Sequence, residues 1–306
     1  MICQICKAEF NTLRSLHAHL NKVHSFSQES YYHYFYPRYD LGSNELINYK
    51  NYDQYFDSCF NSRVSFVDWA SKLDSEEKIS EVKSYCLGTL KKRASEQKLN
   101  YFPSHVELKS LLLPSMFGLQ KIWGGFDGLF KEVTYATRFH YSQDIKFSEE
   151  SYQVYIDTRE QLPLNFENRK VVKLSIGDYA PSAPLFADVF IERKSLNDLA
   201  GTLSSGFDRF EKEIKRAKSL NGYLVVVVES TFTDAETYSP YNSFSKKING
   251  AFLFHNIRKL MQENDNVQFV FTGTRKRCME CIDNIFRLRG SAKTLDLEYL
   301  KDGGII

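Results

Sequence analysis

The sequence predicts an α/β C-terminal half, in which helices flank a central mixed sheet, behind a Cys/His-rich N-terminus and a small helical middle domain. From about residue 150 onward, short β-branched segments alternate with amphipathic ones, as in a sheet covered by helices. Two cysteines and two histidines are closely spaced at the N-terminus. Between these regions, residues 75–97 carry apolar side chains three and four positions apart, which indicates a helix.

Composition limits the class of protein. The 306 residues are enough for one large domain or for two to three smaller ones. Hydrophobic residues make up 42% and charged residues 25%, which is ordinary for a globular protein. A net charge of +2 and a pI near 8.1 do not mark a strongly basic nucleic-acid binder, so any contact with DNA must come from local patches.

The sequence also indicates a cellular compartment. No apolar run is long enough to span a membrane, and no basic segment leads into an apolar core at the N-terminus. The six cysteines are scattered, which suits a reducing environment better than a disulfide framework. We therefore expect no membrane partner and an intracellular location, in a nucleoid, a nucleus or the cytoplasm of an infected cell.

Residues 1–26 carry the spacing of a zinc finger. The ligands would be Cys3, Cys6, His19 and His24, in the pattern Cys-x2-Cys-x12-His-x4-His. Zn²⁺ accepts two thiolates and two imidazoles in a tetrahedron, and a unit this small folds only with its metal. Phe10 and Leu16 stand at the two apolar positions of such a finger. The pattern predicts a structural zinc site.

The role of this finger stays open between two interpretations. The usual base-reading positions would be Thr12, Arg14, Ser15 and Ala18, of which Arg14 has the reach for a guanine. A single finger reads only about three base pairs. The finger therefore either contacts DNA through Arg14 or serves as a protein-docking or structural cap.

Two regions follow the finger. Residues 27–74 form an aromatic-rich connecting region, for which a small core is favoured over base stacking. Residues 75–142 predict a small helical domain, with one helix over 75–97, a second that Ser104 caps and a third near Asp127. Its arrangement resembles the repeats attached to some homing endonucleases, although a plain three-helix spacer explains it as well. Candidate DNA-binding residues here are Lys91, Lys92 and Arg93, which also suit a solvated helix end.

Two carboxylates and a lysine stand at strand ends in the C-terminal half. The run Val189–Ile191 predicts a strand that continues to Glu192 and Lys194. Because strand side chains alternate, these two share one face and Arg193 points the other way. Asp178 follows a second strand-like run, Val171–Ile176, and could approach that face. Two carboxylates can hold Mg²⁺ through oxygen ligands, with room left for water and phosphate.

The surrounding sequence resembles a known nuclease family. Gly177-Asp178 and Glu192-Arg193-Lys194, with Asp198 after them, match the GD…ERKxxxD signature of XPF/Mus81-type nuclease domains. Upstream, Asp157-x-Arg159-Glu160 is similar to the D-x-R-E element of that family. The resemblance covers about residues 152–290, and we place the nuclease domain at 150–290 with a C-terminal tail at 291–306.

The resemblance implies roles for individual residues. It assigns the carboxylates Asp157, Asp178 and Glu192 to Mg²⁺ or Mn²⁺, and Lys194 to catalysis. Arg159 matches a supporting position. The full set of predicted catalytic residues is Asp157, Glu160, Asp178, Glu192, Arg193, Lys194 and Asp198.

The resemblance also implies a function, a metal-dependent DNA endonuclease with the N-terminal half targeting DNA. Its substrate would be either branched DNA or a specific duplex site, as for a homing enzyme. The alternative is a non-catalytic DNA-binding or scaffold subunit. A homodimer through the nuclease domain is a further hypothesis. The tail is too short for the tandem helix-hairpin-helix units that usually follow such domains.

The remaining elements of the C-terminal half are read from their patterns. Helices are predicted at 206–220, 243–264 and 276–288, and buried strands at 223–228 and 267–272. This order indicates a mixed or mainly parallel sheet, as in a restriction-endonuclease-like core.

Overall fold

The computed structural model describes residues 1–47, 59–61, 63–97, 102–110, 116–133, 138–141, 145–183, 188–239 and 248–306. The chain forms two compact units. The N-terminal unit contains residues 1–89 and 112–129, and the C-terminal unit contains residues 90–111 and 130–306.

Helices dominate the chain ahead of residue 150. They are α1 (Leu13–His24), α2 (Gln28–Phe35), α3 (Arg63–Ser71), α4 (Glu76–Gln97), α5 (His105–Ser110), α6 (Met116–Trp123) and α7 (Phe126–Glu132). The predicted helix over 75–97 is confirmed as α4. Helix α6 was not predicted, whereas α7 begins at Phe126, close to the third helix predicted near Asp127.

The aromatic region contributes to two cores of the N-terminal unit. Tyr31, Tyr32 and Ile47 are buried with Cys3, Leu16 and Leu20 of the Cys/His module. A second core contains the buried side chains of Phe66 and Trp69. The rings of Phe60 and Tyr85 pack against both of them. These contacts support the core interpretation. Other aromatic residues of this region, Tyr49, Tyr52, Tyr55 and Phe56, lie outside the described residues.

The middle of the chain divides differently from the predicted domain at 75–142. Helix α5 belongs to the C-terminal unit, whereas α6 belongs to the N-terminal unit. The reason lies in the side chains of α5, since Val106 and Leu108 are each 1% exposed. Buried Glu107 also accepts hydrogen bonds from the backbone N–H of Ser104 and from Gln262, both at 2.8 Å.

A six-stranded mixed sheet organises the C-terminal unit, as predicted. The strands are β1 (Val154–Asp157), β2 (Arg169–Val172), β3 (Tyr179–Pro181), β4 (Val189–Lys194), β5 (Tyr223–Val228) and β6 (Val267–Phe271), in the order β2-β1-β3-β4-β5-β6. Strand β3 is antiparallel to both of its neighbours, and the other pairs are parallel. Of the strand-like run predicted at 171–176, only residues 171 and 172 belong to a strand, β2. Strand β3, which begins directly after Asp178, was not predicted.

Helices cover this sheet. They are α8 (Leu196–Leu203), α9 (Phe207–Ser219), α10 (Phe232–Glu236), α11 (Gly250–Glu263), α12 (Arg275–Arg287) and α13 (Leu297–Asp302), with a 3-10 helix at Arg289–Lys293. Every residue of β5 and β6 is buried, which explains their unbroken apolar sequences. Within the described residues, no helix has the length and apolar character needed to cross a membrane.

The predicted C-terminal tail is part of the folded unit, which corrects the boundary at 291. Leu297 and Leu300 are fully buried. Glu298 accepts a hydrogen bond from the backbone N–H of Phe271 at 2.9 Å and pairs with Lys109 at 2.7 Å. These contacts join α13 to β6 and to α5, neither of which is a sequence neighbour.

Leu300→Ala should therefore destabilise the C-terminal unit by about 2–5 kcal/mol, because it leaves a cavity beside β6. Leu220→Ala is the matched control, since Leu220 is 55% exposed. Amide hydrogen exchange in β5 and β6 measures the effect. Equal exchange in the two variants would show that α13 does not hold the sheet.

Candidate active site and metal centre

The end of β4 brings two functional side chains to one edge of the sheet. β4 runs parallel to β5, with Glu192 opposite Val226 and Lys194 opposite Val228. Lys194 Nζ lies 2.8 Å from Glu192 Oε1, so the two share a face as alternation predicts. Ser195 then caps α8 by accepting from the backbone N–H of Asp198 at 3.1 Å. Strand and helix therefore meet at this edge.

Asp178 is held beside Glu192 by backbone hydrogen bonds. Its N–H donates to the carbonyl of Ile191 at 2.7 Å, and its Oδ2 accepts from the N–H of Arg193 at 2.9 Å. Gly177 makes this approach possible, since it has φ +67 and an added Cβ would lie 2.6 Å from the Ile191 oxygen. A glycine is therefore needed at position 177 so that the backbone can approach β4 closely enough for Asp178 to contact it.

Two like charges face each other in this arrangement. Burial and then the negative charge of Glu192 raise the pKa of Asp178 to about 7. The backbone N–H of Arg193 and the ammonium of Lys194 act in the opposite direction but do not cancel the effect. A pair of carboxylates in this state suits a divalent cation, which would neutralise both.

Asp157 behaves differently from the other two predicted magnesium ligands. It is 1% exposed. One carboxylate oxygen accepts from the N–H of Arg159 at 2.9 Å and from its guanidinium at 2.5 Å. The other accepts from the N–H of Leu174 at 2.7 Å. Burial alone would raise the pKa of Asp157, but the hydrogen bonds from Arg159 and Leu174 outweigh it and the pKa is lowered.

The structure therefore brings Asp178 and Glu192 together and leaves Asp157 in an ion pair. Asp157 is not among the residues that line the cleft beside these two. Within the described ranges, the one group of three or more His, Cys, Asp or Glu side chains arranged to hold an ion is at the N-terminus. Of the three carboxylates predicted to bind magnesium, this arrangement places Asp178 and Glu192 together and Asp157 apart from them.

Arg193 links the cleft to neighbouring elements. Its guanidinium donates to Glu160 at 3.1 Å and to Glu229 at 2.6 Å. Burial opposes the charged form, yet these two carboxylates raise the pKa of Arg193 above its usual value. Arg275 lies 3.7 Å from Glu229 and donates to the carbonyl of Leu162 at 2.8 Å. We call Glu160, Arg193, Glu229 and Arg275 the arginine–glutamate network.

Sequence reasoning missed two carboxylates of the site region. Glu229, directly after β5, was given no role, because only the pairing of β5 with β4 places it beside Arg193. Glu213 of α9 was not considered. Burial and then the charge of Glu192 raise the pKa of Glu213, so it faces the same edge of the sheet. Its position three residues after buried Phe210 was the available signal.

Asp178, Glu192, Lys194 and the arginine–glutamate network line a cleft of about 1040 Å³. Its walls come from the loop after β1, the end of β4, the hairpin between α8 and α9, and the starts of the segments after β5 and β6. The lining residues are Arg159, Glu160, Gln161, Leu162, Asp178, Glu192, Arg193, Lys194, Ser195, Asn197, Asp198, Gly201, Thr202, Ser205, Gly206, Arg209, Glu229 and Arg275. Of the predicted catalytic residues, all but Asp157 are present.

The N-terminal metal ligands are brought together as predicted. A turn carries Cys3 and Cys6, and α1 carries His19 and His24. Their ligand atoms all lie within 4.8 Å of one another, with His19 Nε2 at 3.2 Å from Cys6 Sγ and 3.1 Å from His24 Nε2. Tetrahedral Zn²⁺ at its usual bond lengths needs ligand separations of roughly 3.3–3.8 Å. The four side chains therefore fit zinc.

The predicted DNA contacts are placed on helix surfaces. Arg14 is exposed on α1, and Lys91 and Lys92 are exposed on α4. Arg93 follows on α4, and its side chain lies outside the described residues. Contact of these residues with DNA stays a prediction.

The fold around this cleft is a six-stranded mixed sheet flanked by helices. Residues 156–285 match the ERCC4 domain, which supports a DNA endonuclease and agrees with the predicted XPF-type nuclease domain. No curated protein matches the sequence.

Among the solved structures that are similar to the chain, two are of one archaeal protein. "XPF from Aeropyrum pernix" is 21% identical with a TM-score of 0.34, and the match covers 44% of this chain and 64% of that one. The same protein in complex with DNA is 17% identical, again with a TM-score of 0.34, over 45% and 64%. The match thus spans 64% of the length of each of these structures.

The pKa of Asp178 leads to a stability prediction. Since it rises from an ordinary 3.8 to about 7, the folded protein favours the protonated carboxyl. Well below pH 4 the carboxyl is protonated in the folded and the unfolded protein and ionisation costs no stability. The cost grows as the pH rises from about 4 to about 7 and is complete above that value. Asp178→Asn removes the cost, so its gain in Tm over the wild type should be larger at pH 8 than at pH 5.

The measurement is thermal unfolding of zinc-loaded protein without added Mg²⁺ or Mn²⁺. Asp265→Asn is the contrasting control. The hydrogen bond from Lys218 lowers the pKa of Asp265, so this variant should lose stability at both pH values. An equal gain for Asp178→Asn at pH 5 and pH 8 would contradict the raised pKa.

Proposed function

We propose that this protein is a DNA endonuclease that hydrolyses phosphodiester bonds with Mg²⁺ or Mn²⁺ at Asp178 and Glu192. The observation that carries the proposal is the juxtaposition of these carboxylates with Lys194 in one cleft. The negative charge of Glu192 adds to burial in raising the pKa of Asp178, and Lys194 lies 2.8 Å from Glu192. The ERCC4 match over residues 156–285 supports the same activity.

In this proposal, Asp178 and Glu192 bind the ion through their free carboxylate oxygens. Asp178 Oδ2 is held by the N–H of Arg193, which leaves Oδ1 for a cation. Glu192 Oε1 is held by Lys194, which leaves Oε2. Asp157 serves as a positioning residue, because both of its oxygens already accept hydrogen bonds from Arg159 and Leu174.

A bound Mg²⁺ supplies Lewis-acid polarisation of the phosphate and lowers the pKa of coordinated water. The protein contributes the remaining charge. Lys194 directs its ammonium to the carboxylate pair and offsets negative charge that develops on the phosphate oxygens during hydrolysis. The arginine–glutamate network holds its part of the cleft wall in place, so that a backbone phosphate is held in one orientation.

The cleft suits a nucleic-acid segment. Its volume of about 1040 Å³ lies at the upper end of small-molecule pockets. Arg159, Arg209 and Arg275 line it beside the carboxylates, and guanidinium groups bind phosphates in bidentate geometry. In this proposal, the N-terminal half targets DNA through Arg14 of the zinc finger and through the Lys91–Arg93 cluster.

Two substrate classes follow from the two halves of the chain. The nuclease domain favours branched DNA, and the finger with the helical region favours a specific duplex site. Cleavage of flap, fork and junction oligonucleotides, compared with a random linear duplex library, distinguishes them. The homodimer through the nuclease domain stays a prediction, which the mass of the protein in solution would test.

Substitution of the carboxylates should remove cleavage. Asp178→Ala and Glu192→Gln should each lower the Mg²⁺-dependent cleavage rate by about a hundredfold or more, because each removes a metal ligand. Glu263→Gln is the matched control, since Glu263 is exposed at the end of α11 and does not line the cleft. Hydrogen exchange in β5 confirms that the variants fold.

Undiminished cutting by both variants would exclude this site. If wild-type protein binds DNA but cleaves none of these DNA forms, the result would instead support the non-catalytic scaffold role. Metal dependence is measured by titrating Mg²⁺ into zinc-loaded protein, because a strong chelator would also remove the structural zinc.

Glu229→Gln should reduce the cleavage rate at saturating DNA by roughly tenfold, because Arg193 loses one of its two charged partners. Glu263→Gln, an exposed residue at the end of α11, is the control. A positioning role predicts a lower kcat with little change in KM and in Tm. A loss that appears only in Tm would assign Glu229 to stability alone.

A further inference from the structure

Residues 38–47 repeat the backbone of the zinc-finger hairpin. The finger has an isolated antiparallel bridge between Ile2 and Glu9, and the later segment has one between Tyr39 and Leu46. The tight turn of each has a residue with positive φ, Lys7 at 63° and Asn44 at 57°. The two segments therefore form the same kind of turn.

The hydrogen bonds of the two hairpins correspond one to one. In the finger they are Cys3 N–H to Ala8 O at 2.9 Å, Lys7 N–H to Cys3 O at 2.8 Å and Phe10 N–H to Met1 O at 2.7 Å. In the later segment they are Asp40 N–H to Glu45 O at 2.8 Å, Asn44 N–H to Asp40 O at 2.8 Å and Ile47 N–H to Arg38 O at 2.9 Å. Asp40 therefore occupies the position of Cys3, and Ser43 that of Cys6.

The helix that follows also repeats. Residues 61–74 align with residues 11–24 without a gap, and Asn11, Ser15 and Lys22 recur as Asn61, Ser65 and Lys72. The buried positions correspond as well. Leu16 and Leu20 of α1 match Phe66 and Ala70 of α3, and all four are buried. Residues 48–60 separate the second hairpin from its helix, whereas the first hairpin leads directly into α1.

None of the four metal ligands is kept in the second copy. Cys3, Cys6, His19 and His24 correspond to Asp40, Ser43, Trp69 and Asp74. Trp69 is 5% exposed and packs on Phe60 and Phe66. An aromatic side chain thus fills the position of a histidine ligand, and its packing adds apolar burial that the small finger lacks.

The carboxylate of Asp40 joins the hairpin to the helix. Oδ1 accepts from the N–H of Gly42 at 2.8 Å and of Ser43 at 2.9 Å, within the turn. The same carboxylate accepts from the N–H of Asn61 and from the hydroxyl of Ser65, ahead of α3 and within its first turn. Gly42 packs closely on this helix, since an added Cβ would lie 2.2 Å from the Ser65 carbonyl oxygen.

We propose that the hairpin at residues 38–47 and helix α3 form a second finger-like unit, in which the carboxylate of Asp40 replaces the metal as the link between hairpin and helix. Zinc joins the two elements of the first finger through ligands from each. Asp40 does so with four hydrogen bonds, two to each element. Burial alone would raise the pKa of Asp40, but the bonds from Ser65 and the backbone outweigh it and lower the pKa, so the charged acceptor is maintained.

The repeat also limits how the N-terminal unit contacts DNA. Arg14 and Ala18 of the first reading face correspond to Val64 and Asp68 of α3. Val64 is 67% exposed, and Asp68 pairs with Lys72 at 3.2 Å. An apolar and acidic face of this kind does not favour phosphates, so base reading would be confined to the first finger.

Zinc content and local exchange test this proposal in the full chain. Wild-type protein should bind one zinc per chain, measured by elemental analysis after dialysis. Asp40→Ala should keep that zinc but raise the exchange rates of the Gly42, Ser43 and Asn61 amides by on the order of tenfold or more. Asp74→Asn, at the position of His24, is exposed and should change neither quantity.

Ser65→Ala provides a milder variant, because it removes one of the four bonds and keeps the charge of Asp40. It should raise the same exchange rates by less than Asp40→Ala does, again with one zinc retained. Two zinc ions per chain in wild-type protein would overturn the proposal. Unchanged exchange at Asn61 in both the Asp40→Ala and Ser65→Ala variants would overturn it as well.

Discussion

The approach of Asp178 to Glu192 is the constraint on which the C-terminal unit depends. Burial and like charge make this contact unfavourable, as the pKa of about 7 for Asp178 shows. The backbone nevertheless enforces it. Gly177 adopts a left-handed conformation. The N–H of Asp178 donates a hydrogen bond to Ile191 of β4, and its carboxylate accepts one from the N–H of Arg193. The apolar sheet behind this edge, with β5 and β6 fully buried, supplies the stability that holds the carboxylates together.

Alternation along β4 divides two tasks between neighbouring residues. Glu192 and Lys194 face each other in the cleft, and Arg193 connects the loop after β1 to the end of β5. Because the guanidinium lies between two carboxylates, the wall of the cleft is held by charge pairing and not by apolar packing. The supporting contacts come from the segments that follow β1 and β5 and from the start of α12, so the site depends on parts of the chain that are distant in the sequence.

In the N-terminal unit, a short hairpin must be held against a helix although the two elements bury little apolar surface between them. In the first finger, two cysteines and two histidines lie within 4.8 Å of one another and suit a metal. In the proposed second unit, one carboxylate and a larger aromatic cluster would take over. Directional bonds from a single acceptor are weaker than metal coordination, which is consistent with the added burial of Phe60, Phe66 and Trp69.

The sequence by itself determined the elements whose signals are local. The Cys/His spacing, the Gly-Asp turn, the alternation of Glu192 and Lys194, and the apolar runs of β5 and β6 follow from neighbouring residues. The ion pair of Asp157, the place of Glu229 and the burial of α5 and α13 were decided only by the tertiary structure. Each depends on contacts between distant segments, such as Glu298 with Lys109 and Phe271. Periodicity reports which face of an element is buried, but it carries no information about which distant segment covers that face.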